Sequence, residues 1–296
     1  MARSVTPVDG LMMRVSSVHL HPVKATAALD VQVADVELWG LRHDRRWTVV
    51  GASGRRLNAT THDRLLGITA TPAPAGDLVL SRHGAADVEV PVPRGGACVP
   101  VDVSRSPTLM TDAGDVAAAW LSAFLGEQVR LVWQHDPSLR PIRANHGGLG
   151  GEPLSLADTA PLLLTTTASL SRLNDWIADE HGCDAPEMTM RRFRPNVVVE
   201  GSTVPFEEDG WRSIRIGDVA YRFAEHCDRC VVTTIDPFSL AHDKEPLRTL
   251  ARHRRWDSKT WFGIRIIPLA VGTLSVGNRV VIDGGVPPAT PRAGGD

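Results

Sequence analysis

Residues 227–237 read CDRCVVTTIDP. Two cysteines three positions apart can be half of a zinc site, a redox pair of the thioredoxin kind, or a place where one thiolate meets another metal. Zinc takes four ligands, yet Cys98 and Cys183 stand apart from the pair and no two of the 11 histidines have finger-like spacing. A thioredoxin pair opens a helix, whose N-terminus lowers the thiol pKa. Here the pair runs into VVTTI, which is β-branched and reads as strand. Two buried free thiols packed as small hydrophobes are the plain alternative. On an extended chain residues i and i+3 face opposite sides, which favours one available thiolate over a chelating pair.

Outward from this stretch the chain divides into two β-rich halves. FRPNVVVEG, SIRIGDVAYRFAEH and the long run FGIRIIPLAVGTLSVGNRVVI read as strands, with a short strand and then a helix over about 169–180 before them. The first half holds VSSVHLHPV, LDVQVADVEL, RRWTVVGASGRRL, DLVLSRHG and ADVEVPVP, short β runs with a turn over 51–54. Such spacing predicts a small barrel or sandwich. DAGDVAAAWLSAFLG, 112–126, predicts a helix joining the halves, and VRLVWQ a strand after it. The expected layout is a barrel over 13–105, a connecting helical segment over 106–130, a second β-rich domain with a few helices over 131–284, and a disordered Pro/Gly/Ala-rich tail over 285–296. The first thirteen residues are weakly patterned and expected to be mobile.

Composition excludes more than it assigns. With 296 residues, 43% hydrophobic and 22% charged, the chain reads as an ordinary globular protein of mixed α+β class, rich in β. The net charge of −2 argues against a nucleic-acid footprint or a polybasic membrane patch. No apolar run approaches the ~18–20 residues that span a bilayer. The N-terminus lacks a long apolar signal region, so a cytoplasmic protein is expected. Lys24, Lys244 and Lys259 are the only lysines among 32 basic residues. Arginine grips phosphate with a rigid fork, so an anion site is open to this chain.

Single residues carry less. Lys24 sits in HPVK, Arg45 in DRRW where it can pair with Asp44, and Arg194 and Asn196 in FRPN, where Pro195 extends the chain. The loop motif HGGLGGEP has the glycines of a phosphate nest but no Walker lysine.

In this order, HPVK, DRRW, FRPN, CDRCVVTTIDP, KEPLRTL, FG and GTLSVGNRV resemble the MOSC family, named for the C-terminal domain of molybdenum cofactor sulfurase. The likeness runs from about Met13 to Val281 and points to two-domain members with an N-terminal MOSC β-barrel ahead of a MOSC β-barrel domain, such as the mitochondrial amidoxime-reducing component. It implies a molybdenum–pyranopterin (molybdopterin) cofactor between the domains, with Cys230 as the thiolate ligand of the metal and as a catalytic residue. Soft thiolate ligation suits a redox metal. The resemblance places Lys24, Arg45 and Arg194 on the phosphate and pterin edge, and Thr159, Asn196, Asp228 and Arg229 at further cofactor contacts. Ala25 and Ala160 stand at contact positions where a hydroxyl donor is lost. Asp236 is expected to orient a proton path. The implied activity is reduction of N-hydroxylated compounds: hydroxylamines, amidoximes or N-hydroxylated bases. No cysteine cluster for an iron–sulfur centre is present, so electrons are expected from a separate ferredoxin, or from a cytochrome with its reductase. The rival reading is a carrier of cofactor or sulfur that does not turn over.

Overall fold

The alternating and β-branched runs of the second half, joined by two strands from the start of the chain, build one nine-stranded sheet. The structure, a computed structural model, describes residues 12–103 and 107–286. Of the expected tails, residues up to 11 and from 287 lie outside the described residues, whereas Gly285, expected in the disordered tail, ends the strand Val280–Gly285 and pairs with Trp211. The sheet runs Val280–Gly285, Trp211–Ile216, Val219–Asp228, Lys259–Pro268, Leu162–Thr166, Val197–Glu200, Arg14–Leu20 and Leu29–Val31, with Arg255–Trp256 hung on Lys259–Pro268. Neighbours are antiparallel except Leu162–Thr166 and Val197–Glu200. A parallel pair needs a long crossover, and the helix Thr167–His181 lies in it. Val18, Leu164, Val197, Ile214, Tyr221 and Ile264 bury one face of the sheet.

The first half packs a four-stranded sheet (Trp47–Gly51, Val129–Trp133, Pro107–Asp112, Cys98–Asp102) and a three-stranded one (Thr69–Pro72, Leu78–Ser81, Val88–Val90). Trp47, Val49, Leu80, Leu121 and Leu131 form the core between them. A third small sheet joins Gly272–Ser275 to Val33–Glu37 and Gly40–Leu41.

The expected strand-rich fold with a few helices is found, and three details differ from expectation. First, no closed barrel is found among the described residues. Arg14–Leu20 pairs with Val197–Glu200, and Val33–Glu37 with Gly272–Ser275, so strands from the start of the chain join sheets with strands from its far end. Second, 106–130 is not a linker. The helix Asp115–Leu125 buries Ala117 and Leu121 in the first core, and Val129–Trp133 pairs along Trp47–Gly51, so a boundary at 130/131 cuts a strand. Gly126, at φ 81°, ends that helix in the left-handed conformation that glycine adopts without strain. Third, VVTTI is no strand: Val231–Thr234 is a 3-10 turn. The hydroxyls of Thr233 and Thr234 donate to the carbonyls of Cys230 and Val231, local bonds that compete with a sheet ladder.

One buried acid in this fold has a consequence for stability. Thr166 caps the helix Thr167–His181 by accepting from Ser169 N, and Ser169 Oγ donates to both oxygens of Glu208, at 2.8 and 2.9 Å. Glu208 is fully buried; burial first, then the neighbouring Asp209 charge, pushes its pKa up to about 7. A raised acid stabilises the fold fully below its unfolded value near 4.5 and loses that contribution as pH rises through 7. At about 1.4 kcal/mol per unit, the loss is on the order of 3 kcal/mol. Denaturant midpoints at pH 5 and pH 8 test this: the wild type is expected to weaken at the higher pH and Glu208→Gln to flatten the difference. An unchanged pH dependence in the variant would refute the assignment.

Candidate functional site

A cavity of about 440 Å³ opens between the halves, walled by chain from 24–61 on one side and 157–265 on the other. Its cationic side begins with HPVK. Lys24 N donates to Trp47 O, which ties this segment to DRRW, and Lys24 Nζ donates to Leu156 O at 2.7 Å and to Asp158 Oδ1 at 2.6 Å. Ala25, Arg45 and Arg194 all take left-handed backbone, at φ 72°, 49° and 55°, and all line the cavity. Non-glycine residues held there cost energy, and such strain clusters at functional sites.

Arg45 is fixed from three directions. Its Nη1 donates to Asp44 Oδ2 at 2.5 Å and to Asn196 Oδ1 at 2.9 Å, and Nη2 to the Arg194 carbonyl at 3.3 Å. Asp44 is fully buried and also accepts from His21 N at 2.7 Å. Burial would raise its pKa, but the Arg45 charge and His21 overcome this and hold it low. His21 goes the other way: burial, with Arg45 and Arg194 nearby, drives it well below the usual range, so its ring is neutral. Asn196 lines the cavity, but its side chain is committed to the fold, accepting from Arg45 and Leu163 N and donating to His19 O. It is a brace for Arg45. Arg194 donates to Thr26 O at 2.6 Å, and burial beside Arg45 pushes its pKa down to about 9.

The opposite wall carries the cysteine pair. Cys227 is the last residue but one of the strand Val219–Asp228 and is buried; Cys230, at the start of the 3-10 turn, is exposed, and both line the cavity. Arg229 bridges them to the FRPN segment, with Nη1 donating to Cys227 Sγ at 2.7 Å and Nη2 to Phe193 O at 2.7 Å.

Nine of the expected residues therefore line one cavity: Lys24, Ala25, Arg45, Ala160, Arg194, Asn196, Asp228, Arg229 and Cys230. Two do not. Thr159 faces a neighbouring cavity and donates to Glu225 Oε1. Asp236 is off the wall, and its Oδ1 accepts from Phe238 N, Ser239 N and Ser239 Oγ while Oδ2 pairs with Arg192 at 2.9 Å. The Ser239 N–H above all keeps Asp236 below the ordinary carboxylate range, so it holds a loop and is a poor proton donor.

Sequence reading missed Arg56, Asp158, Arg192 and Arg265, all on the wall. For Arg265 a signal existed: a lone arginine inside the apolar run FGIRIIP. It pairs with Glu225 at 2.7 Å, and Glu225 also accepts from His146 at 2.8 Å. Asp158 is open to the cavity yet crowded by protein on its other sides. That crowding would raise its pKa, but Arg265, Arg56, Arg45 and Arg140 outweigh it and lower the value.

In sum of charge, seven cationic side chains and two carboxylates face one cavity in a chain of net charge −2. Arg192 Nη1 and Arg229 Nε are buried there without a partner among the described residues. Buried donors of this kind are costly unless an acceptor meets them. Guanidinium donors, an excess of positive charge and one exposed thiol together fit an anionic group that carries a soft metal.

Residues 12–128 match the MOSC N-terminal beta barrel domain, and residues 151–281 the MOSC domain. The molybdenum cofactor sulfurase of Danio rerio is 29% identical over 290 residues, covering 92% of this chain and 34% of the sulfurase, so the chain spans about a third of that relative. The mitochondrial amidoxime-reducing component 1 of Homo sapiens is 30% identical over 288 residues, covering 91% of this chain and 83% of that one. Its Danio rerio counterpart is 31% identical over 265 residues, covering 83% and 76%. No helix among the described residues is long and apolar enough to cross a membrane. With both domains matched in order along the chain, this protein belongs to the MOSC family, in its two-domain form with a MOSC N-terminal beta barrel domain ahead of the MOSC domain.

Proposed function

We propose that the protein is a molybdenum-cofactor-dependent reductase of N-hydroxylated compounds. The observation that carries the reading is the exposed Cys230 thiol on the wall of a cavity rich in arginine. Bound there, a molybdenum–pyranopterin supplies two-electron oxygen-atom chemistry. The chain's own residues do the rest. Lys24, Arg45 and Arg194 hold the anionic phosphate, Asp44 and Asn196 keep Arg45 aimed, and Cys230 offers a soft thiolate. Ala25 and Ala160 contribute no hydroxyl, so contacts at these positions come from backbone. In the overall reaction the N–O bond breaks, nitrogen keeps its substituents and gains a proton, and oxygen leaves as water. Two electrons and two protons are consumed. A ferredoxin, or a cytochrome with its reductase, supplies the electrons.

The test is turnover. Purified from a molybdenum-replete host, the protein is expected to oxidise a reduced viologen dye only when an N-hydroxylated substrate is added. Binding and release of cofactor without turnover would instead mark a carrier. Arg194→Ala removes a buried charged donor from the phosphate end. Charge-assisted bonds are worth ~1.5–3 kcal/mol, so cofactor affinity is expected to fall about 10- to 100-fold. Pterin and molybdenum content per protein measure this, and wild-type content in the variant would remove Arg194 from the site.

A further inference from the structure

The strand Arg14–Leu20 buries Val18 and Leu20 in the core of the large sheet, so Ser17 and His19, two positions apart, share its other face. His19 stands directly across from Asp30 on the edge strand Leu29–Val31, which brings a carboxylate to that face as well. Two hydrogen bonds join the three. Ser17 Oγ meets His19 Nε2 at 2.9 Å, and His19 Nδ1 meets Asp30 Oδ1 at 2.6 Å. With the ring neutral, Nδ1 donates to the carboxylate and Nε2 is left to accept from the hydroxyl. A serine, a histidine base and an orienting carboxylate, linked through these two ring nitrogens in this order, make up the arrangement that activates a hydroxyl for acyl transfer.

Its surroundings fit that use. Asp30 divides its oxygens: Oδ2 pairs with Arg191, whose Nη1 also donates to Ala28 O at 3.2 Å, and Oδ1 is kept for the histidine. His19 is buried; burial lowers its pKa more than Asp30 raises it, and Arg191 lowers it further, so the ring is a neutral base at pH 7. The register shifts between Val15 and Ser17, and the ladder to Leu29–Val31 covers only Val18–Leu20. Ser17 therefore stands one residue beyond the last rung, half-buried. Its neighbour Ser16 shows the ordinary fate of a strand hydroxyl, donating to Val198 O at 3.2 Å.

We propose that Ser17, His19 and Asp30 form a second catalytic site, separate from the cavity, that hydrolyses small carboxylic esters. Ser17 and His19 are the catalytic residues, and Asp30 positions the ring. Ser17 Oγ bonds to the acyl carbon as its proton passes to His19 Nε2. The C–O bond to the alcohol then breaks, and that proton leaves with the alcohol. Water, deprotonated by the same nitrogen, releases the carboxylic acid and restores the serine. No electrons are exchanged. None of the three residues lines the cavity between the halves or its neighbour, so a short acyl group on a good leaving group suits this site better than a long chain.

The full chain as purified is incubated with p-nitrophenyl acetate and, separately, with a fluorophosphonate, whose phosphorus an activated serine captures with loss of fluoride. Wild type is expected to release p-nitrophenol over many turnovers and to carry the phosphonyl group on Ser17, located by peptide mass. Ser17→Ala and His19→Gln are expected to lower kcat/KM at least about a hundredfold, and Ser16→Ala to leave it unchanged. Asp30→Asn is expected to lower kcat with little change in KM. It should also move the pH midpoint of kcat down, since Asp30 raises the His19 pKa against burial and Arg191. Asp30→Glu is expected to restore part of the rate. Acetylation that stops after one turnover, a phosphonyl group placed elsewhere, or hydrolysis by Ser17→Ala within about twofold of wild type would overturn the proposal. Both readouts are independent of molybdenum, so they stand whether or not the reductase reading does.

Discussion

Cys230→Ser is expected to lower reductase kcat/KM by at least about a thousandfold, a barrier increase of roughly 4 kcal/mol. The substitution replaces a soft thiolate with a hard, protonated hydroxyl, a poor ligand for a redox metal of this kind. Because Lys24, Arg45 and Arg194 supply separate contacts to the same cavity, pterin content is expected to survive better than activity. Cys227→Ser makes the control. Its sulfur is buried and accepts from Arg229 Nη1, a role a serine oxygen can take over, so the variant is expected to fold and keep substantial activity. Activity and molybdenum content of the two variants are measured side by side. Equal total loss in both would point to a chelating or disulfide pair. Full activity in Cys230→Ser would end the thiolate assignment.

Asp44→Ala is expected to be the most destabilising single change near the site, by roughly 3–5 kcal/mol, since it removes one partner of a buried ion pair. Arg45 would lose its 2.5 Å acceptor and His21 N its 2.7 Å one, while both remain inside the protein. Asp44→Asn keeps the shape and one acceptor oxygen, so a smaller loss is expected. Urea denaturation at neutral pH gives the comparison. Acid provides a second check through linkage. The Asp44 pKa is held below its ordinary 3.8, so its stabilisation is present above that value and is lost as pH falls through the lowered one. Wild type is therefore expected to lose this contribution only in strong acid, and Asp44→Asn to lack it throughout. A cost below about 1 kcal/mol for Asp44→Ala would show that solvent reaches Arg45 freely enough to replace the carboxylate.

Local pattern and long-range placement contributed differently to what could be read beforehand. Alternation and β-branching are carried by residues adjacent in the chain, and the strands Arg14–Leu20, Val219–Asp228 and Lys259–Pro268 and the helices Asp115–Leu125 and Thr167–His181 were legible on that basis. The same local rule failed at VVTTI, where β-branched residues form a 3-10 turn because two threonine hydroxyls bond carbonyls three residues back. Ordered motifs sufficed for the family, and for the expectation that Lys24, Arg45, Arg194 and Cys230 belong together. The Asp44–Arg45 pair could be suspected because the two are neighbours in sequence. That Asn196, 151 positions away, completes the grip on Arg45 could not.

Only the tertiary structure decided the rest. Whether the halves close into barrels depends on which strand edges meet, and Arg14–Leu20 and Val33–Glu37 pair with partners from the far end of the chain. The full charge of the cavity depends on Arg56, Arg192 and Arg265; of these only Arg265, alone in an apolar run, stands out in sequence, and nothing there says that the three converge. Asp236 and Asp228 look alike as acids in or near CDRC, yet one is enclosed by backbone N–H donors and the other meets Arg265 Nη1 at 3.5 Å on the cavity wall. A side chain's type and its neighbours in sequence set what it can bond to; the packing of distant segments sets whether those bonds are already made, and so which groups remain free for a ligand.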